Sequence, residues 1–263
     1  MPRFAANLTM MFTEVPFMER FGRAAAAGFS AVEYLFPYAH DAEEIAHELA
    51  RNQLTQVLFN FPPGNWEAGE RGLAAIPGRE QEFRESVEKA LHYAQTLGCQ
   101  QLHAMSGITH GLDTAQCQRT FIDNFRYAAD RLAPHGIKLL VEPINQRDMP
   151  GYFISYQQEA VRLLEQVERA NVAVQLDLYH AQIMEGDLTR LMERMQGQFS
   201  HVQIASVPNR HEPDEGELNA EWLFQQLDQQ GYRGWIGCEY HPRGRTEEGL
   251  GWLSSHRSRS TSS

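Results

Sequence analysis

Apolar, β-branched and aromatic residues fall along the chain in short runs, separated by longer stretches whose apolar positions recur with helical period. The short runs predict strands over Arg3–Leu8, Ala31–Phe36, Thr55–Asn60, Gln101–Met105, Lys138–Glu142, Ala173–Asp177, His201–Ala205 and Trp235–Glu239. The longer stretches predict helices over Val15–Ala27, Ala42–Asn52, Arg79–Leu97, Thr114–Leu132, Tyr156–Ala170, Leu188–Met195 and Glu221–Gln229. Gly28 stands where the first helix should stop, Pro77-Gly78 precedes the third and Gly98 ends it, and Asp187 is placed to cap the helix that begins at Leu188.

Strands alternating with helices imply right-handed βαβ units and a parallel sheet. Eight such units over residues 1–253, with no linker between them, predict one closed (β/α)8 barrel. The competing doubly wound open sheet would carry a glycine fingerprint after an early strand, and Thr9-Met10-Met11-Phe12 contains none. Phe61–Pro77 is long and rich in Gly and Pro, which predicts a loop over the active-site face. Ser254–Ser263 is Ser/Arg-rich without apolar anchors and is expected to be a disordered tail.

Charge narrows the partners. Lys and Arg total 23 against 34 Asp and Glu, a net −11 over 263 residues. Such a surface repels phosphate backbones and anionic membranes, so neither nucleic acid nor a membrane is an expected partner, whereas a small anion can still be held by local cations or a metal. The cysteines, Cys99, Cys117 and Cys238, form no CxxC pair, the N-terminal residues lack a signal-peptide core, and no apolar run approaches the ~20 residues of a membrane span. The expectation is a cytoplasmic protein with reduced thiols; no oligomeric state is read from the chain.

In a parallel barrel the chemistry sits where the strands end. The last polar residues of the final four strands are Glu142, Asp177, Gln203 or His201, and Glu239. Three carboxylates on one side of a barrel mouth require a cation or raised pKa values, and a set of carboxylate and amide oxygens suits Mg²⁺, Mn²⁺ or Co²⁺. The alternative is that each carboxylate caps a helix or pairs with an arginine. His180, three residues past Asp177, is placed to reach the same cavity or to serve as a structural hydrogen-bonding group. Arg210 is placed either to hold a substrate carboxylate or to form a surface ion pair. Lys138 belongs to the opposite end of the barrel, and Cys238, beside Glu239, faces the helices. No Gly-x-Ser-x-Gly elbow, Walker loop or HExxH is present.

The stretches MPRFAANL, MMFTEVPF, AVEYLFPY, PPGNWEAGERG, IPGRE, VEPIN, QLDLYHAQIMEGDL, HVQIA, RHEPDEGE and GWIGCEY resemble the hydroxypyruvate isomerase-like branch of the xylose isomerase-like TIM barrels, over nearly the whole chain. EPIN followed by DMPGY is similar to hydroxypyruvate isomerases; FAANLTMMFTEVPF, FIDNFRYAADRLAPHG and PRGRTEEGLGW are closer to 2-oxo-tetronate isomerases. The resemblance implies that Glu142, Asp177, Gln203 and Glu239 hold a divalent metal, Mg²⁺ first, and that Glu142 and Glu239 form the acid/base pair. It further implies that His180 and, less directly, Arg210 bind the substrate. Related sugar epimerases carry a histidine where this chain has Gln203, which keeps an oxygen donor and removes a titratable nitrogen. The implied reaction is isomerisation of a small hydroxy-keto acid: hydroxypyruvate to 2-hydroxy-3-oxopropanoate through an enediolate, with 2-oxo-tetronate as the alternative substrate and sugar epimerisation a more distant one.

Overall fold

The computed structural model describes residues 2–253. Eight parallel strands pair in sequence order and close on themselves. They are β1 (Arg3–Asn7), β2 (Ala31–Glu33), β3 (Thr55–Asn60), β4 (Gln101–His103), β5 (Lys138–Val141), β6 (Val172–Asp177), β7 (Phe199–Ile204) and β8 (Trp235–Cys238). The helices outside them are α1 (Phe17–Ala26), α2 (Ala42–Arg51), α3 (Glu80–Leu97), α4 (Thr114–Leu132), α5 (Gln157–Val167), α6 (Leu178–Met184), α7 (Leu188–Arg194) and α8 (Ala220–Gln229). The barrel is the one the alternation predicts. The predicted tail, Ser254–Ser263, lies outside the described residues.

Helix signals in the sequence act mostly as expected. Gly28 takes φ 86° behind α1, and Gly98 closes α3 in the left-handed region at φ 65°. Two expectations are corrected. The chain passes from Asp177 directly into α6, where a connecting segment was expected, because the Asp177 side chain accepts from Tyr179 N and caps the helix itself. Asp187 precedes α7 but makes no capping bond; its backbone is left-handed, φ 44°, so its side chain does not meet the helix N–H groups.

Strand alternation sorts the barrel interior into layers. A lower plug of Ala5, Ala31, Val57, Leu58 and Leu140 fills the axis. Below it the N-terminal mouth opens into a cavity of about 600 Å³ lined by Arg3, Gln101, Lys138 and Trp235 among others; Lys138 is exposed there, as its position in the strand requires. Above the plug lies a polar layer in which Asn7, Glu33, Asn60, His103, Asp177, His201 and Gln203 are all buried. Outside, the strands and helices share a continuous apolar shell in which, for example, Phe121 stacks on Phe125 at 4.1 Å.

Residues 61–77 follow β3 at the C-terminal rim. Far from being only an exposed loop, they bury Phe61 and Leu73–Ala75. Gly72 pairs with Ser106, and Ile108 with Tyr152, as single antiparallel bridges that stitch the three loops after β3, β4 and β5 together. Gly72 has φ 111°, and a Cβ there would collide with the Met105 carbonyl. Glu70 braces the segment, accepting from Asn65 N at 2.6 Å and from Arg79 at 2.7 Å.

Candidate active site

The strand ends carry the predicted carboxylates to one place. Asp177 is the last residue of β6, Glu142 follows β5 and Glu239 follows β8. Glu142 is 5% exposed, Asp177 0% and Glu239 7%. Glu142, Asp177 and His180 each offer a ligand atom within 4.8 Å of the others. His180 Nε2 lies 3.7 Å from Glu142 Oε1 and 3.5 Å from Asp177 Oδ2.

Arg210 joins the other side of the site. Its Nη2 donates to Glu239 Oε2 at 2.9 Å and lies 3.5 Å from Asp177 Oδ2 and 3.5 Å from His180 Nε2. The backbone that presents it is left-handed, φ 57°, held by Arg210 N to Ser206 O and by His241 N to Arg210 O, both 2.9 Å. Its guanidinium carbon stands 4.7 Å from the Tyr179 ring centre. Arg210 Nε, although buried, has no hydrogen-bond partner among the described residues and remains a free donor.

The bland roles weighed for these residues are thus present alongside the clustering: one Asp177 oxygen caps α6, and Glu239 pairs with an arginine. They leave oxygens over. Glu142 Oε1 and Asp177 Oδ2 are buried without a hydrogen-bond donor among the described residues. Buried carboxylate oxygens without a donor are costly. Burial, then the charges of Glu239 and Asp177, push the Glu142 carboxyl well above its ordinary range. Burial likewise pushes Glu239 up to about 8 against the pull of Arg210, and it raises Asp177. These groups share too little positive charge to be ionised together. A divalent cation answers that deficit with oxygen ligands of the type such ions prefer, so the donor set fits one.

His180 has a fixed hydrogen-bonding sense. Asn145 Oδ1 accepts from Asp148 N at 2.8 Å, which turns Asn145 Nδ2 toward His180 Nδ1 at 2.7 Å. With Nδ1 accepting, the neutral ring carries its proton on Nε2 and offers it to the site. Burial and the Arg210 charge hold this imidazole well below the usual histidine range, so it stays neutral.

Gln203 is in register with Asp177 on the adjacent strand, yet its amide is engaged elsewhere. Nε2 donates to Glu33 Oε1 at 2.8 Å, and Oε1 accepts from Gln175 Nε2 at 2.6 Å. The structure brings Glu142, Asp177, Glu239, His180 and Arg210 together, with Gln203 beside Asp177 in register on the next strand.

Several residues of the site were not singled out from the sequence. Glu33 accepts from His201 Nε2 at 2.6 Å and from Asn7 Nδ2 at 2.9 Å, besides Gln203. His103 stands 3.6 Å from Glu142 Oε2 and 3.2 Å from Asn60 Oδ1, and burial drives its pKa down to about 3. Tyr179 donates to Asp148 at 2.6 Å and accepts from Arg147, which also reaches Pro208 O at 3.0 Å and so ties the loop after β5 to the loop after β7. A lone charge inside an apolar run, as in AVEY, was the available signal for Glu33.

Comparison with known proteins identifies the family. The family model for the xylose isomerase-like TIM barrel matches residues 21–256. The 2-oxo-tetronate isomerase of Cupriavidus necator is 52% identical over 98% of this chain and 100% of its own. The hydroxypyruvate isomerase of Escherichia coli is 45% identical over the same shares. A crystal structure from Brucella melitensis described as an AP endonuclease of family 2 superposes with a TM-score of 0.97 at 70% identity, covering 97% of this chain and 99% of that one. The fold extends to a 3-keto-D-glucoside 4-epimerase from E. coli, with a TM-score of 0.80 at 20% identity over 97% of this chain and 99% of that one. These two relatives, matched over nearly the whole chain, are named isomerases, and the chain is an enzyme of that kind. It belongs to the xylose isomerase-like TIM barrel family, within the branch of hydroxypyruvate and 2-oxo-tetronate isomerases.

Proposed function

We propose that this enzyme moves a carbonyl between C2 and C3 of a small hydroxy-keto acid, with a divalent cation held by Glu142, Asp177 and Glu239 and joined by Gln203. The observation that carries the reading is the pair of buried, donorless oxygens, Glu142 Oε1 and Asp177 Oδ2, beside two glutamates of raised pKa. Mg²⁺ is the first choice for this oxygen-rich set, with Mn²⁺ or Co²⁺ as substitutes. When bound, the cation supplies Lewis acidity that stabilises negative charge developing on the substrate's neighbouring oxygens.

The protein's own groups do the rest. One of Glu142 and Glu239 takes the C3 proton, leaving an enediolate, and the other delivers a proton to C2 while the hydroxyl proton passes from the C3 oxygen to the C2 oxygen. Without the cation, burial raises both groups above the ordinary carboxylate range. His180 donates from Nε2, and the Arg210 guanidinium, with Nε free, receives the substrate carboxylate. The stitched loops after β3, β4 and β5 help keep water from the enediolate.

The same proton path serves hydroxypyruvate and 2-oxo-tetronate, which differ in the hydroxymethyl group that the latter carries on C3. The 2-oxo-tetronate reading ranks first, supported by relatives of that name at 52%, 51% and 48% identity against 45% for the hydroxypyruvate isomerase. Cleavage at abasic sites, the activity in the description of the Brucella structure, requires gripping a phosphate backbone, which a net charge of −11 opposes. The test is NMR of both acids with metal-stripped and Mg²⁺- or Mn²⁺-reloaded enzyme. Metal-dependent conversion with a kcat/KM preference for 2-oxo-tetronate is expected; a preference for hydroxypyruvate reverses the substrate assignment, and no conversion of either with metal bound refutes the reaction.

A further inference from the structure

One fully buried carboxylate in the barrel takes no part in the reaction above. Glu33 is 1% exposed at the end of β2 and accepts three hydrogen bonds from side chains on two other strands: Asn7 of β1, and His201 and Gln203 of β7. An ionised carboxylate accepts and never donates, so it fixes the sense of every amide that faces it. Gln203 therefore points Nε2 at Glu33, and its Oε1 is turned away toward the β6 side, where Gln175 donates to one lone pair. A second feature shows that the barrel is built around this carboxylate. Gly237, in the middle of β8 and two residues before Glu239, has no side chain in the space that Glu33 fills; a Cβ there would collide with both Glu33 oxygens. Glu33 thus contacts two strands of the barrel besides its own and abuts a third.

We infer that Glu33 is a positioning residue for the divalent-cation site: it holds the Gln203 amide in the one orientation whose oxygen faces the β6 side, and Gly237 is the space that lets it do so. The inference rests on the metal-dependent reading of the site. Partners that orient metal ligands are commonly worth ~10–100-fold in metal affinity, and an amide free to flip presents its nitrogen, which is no ligand, part of the time.

Two variants separate position from charge. Glu33→Gln keeps the shape and loses the acceptor-only character; Gly237→Ala keeps the charge and pushes the carboxylate from its place, with no positive φ at that residue to add backbone strain. The readouts are Mn²⁺ affinity by calorimetry and the Tm of the metal-free proteins, neither of which requires turnover. Both variants are expected to fold, with sharp metal-free transitions, and to bind Mn²⁺ at least tenfold more weakly than the parent. If Glu33→Gln binds within twofold of the parent, the inference is overturned. If Glu33→Gln weakens binding while Gly237→Ala does not, Glu33 acts through its charge alone and the positioning role is overturned. A metal-free Tm that collapses without a change in Mn²⁺ affinity marks a structural role only. A parent protein that binds no Mn²⁺ refutes the metal reading itself, which distinguishes that failure from the others.

Discussion

Glu142→Gln should inactivate this enzyme and, without metal, make it more stable. Glu142 is buried, its Oε1 lacks a donor, and the negative charges of Glu239, Asp177 and Glu33 all bear on it. A buried acceptor left unsatisfied costs about 1–3 kcal/mol, and the amide keeps the shape while removing the charge. In a protein of this size each kcal/mol moves Tm by roughly 2–4 °C, so the variant in chelator should melt roughly 2–12 °C higher than the parent at pH 7. The pH dependence follows from the direction of the shift. A carboxyl raised in the fold carries no penalty below its unfolded pKa of about 4.3, and the penalty grows as pH rises through that value. The Tm gap should therefore be small at pH 4 and open toward neutrality. Cation reverses the order: at 100 times Kd a ligand stabilises by about 2.7 kcal/mol, and the variant, short of one carboxylate, should gain much less. Loss of one acid/base group lowers kcat by about 10²-fold or more. Calorimetric melts in EDTA and in Mn²⁺, with turnover measured alongside, check all of this. A variant less stable than the parent in EDTA, or one that keeps a tenth of the turnover, refutes the reasoning.

Tyr179→Phe removes the hydroxyl that links Asp148 and Arg147 beneath Arg210; it should cost about 1 kcal/mol of stability and raise KM several-fold with kcat largely kept, and a fall in kcat at constant KM would contradict it. Glu70, held below the ordinary carboxylate range chiefly by its hydrogen bonds from Arg79, stabilises the loop above the unfolded glutamate pKa and loses that contribution as pH falls through the depressed folded value. The Tm difference between the parent and Glu70→Gln should accordingly be steady from pH 7 to 5 and close below about 4; a gap that widens in acid contradicts it. Burial pushes the Cys99 thiol up to about 12 and raises that of Cys238, while Cys117 is fully buried. A thiol reagent at pH 8 should find no fast-reacting cysteine in the native enzyme and three after denaturation.

The eight strands were legible because fully buried β-runs are short, apolar and punctuated by glycine or by helical period. Their ends were less so, and that is where the site hides. Reading β2 through Phe36 placed Glu33 in mid-strand, and reading β4 through Met105 did the same to His103; the strands stop at Glu33 and His103, which puts both at the barrel mouth. Helix α6 escaped notice since the residue that ends the strand also caps the helix, leaving no turn residues between them. The carboxylate arc was visible because an acid ending an apolar run on three strands demands a partner. What no spacing could show is the orientation of amides, set by contacts between distant strands such as Gln203 with Glu33.

The apolar plug of Ala5, Ala31, Val57, Leu58 and Leu140 also governs isotopes. It closes the barrel axis below the charged layer, so bulk water reaches the glutamates from the mouth alone. The hydrogen that one glutamate takes from C3 and the proton that the other gives to C2 are both exchanged through that mouth. In D₂O the hydrogen at C2 of the product should therefore come from solvent, through a roof that must lift once per turnover to reset the pair of glutamates.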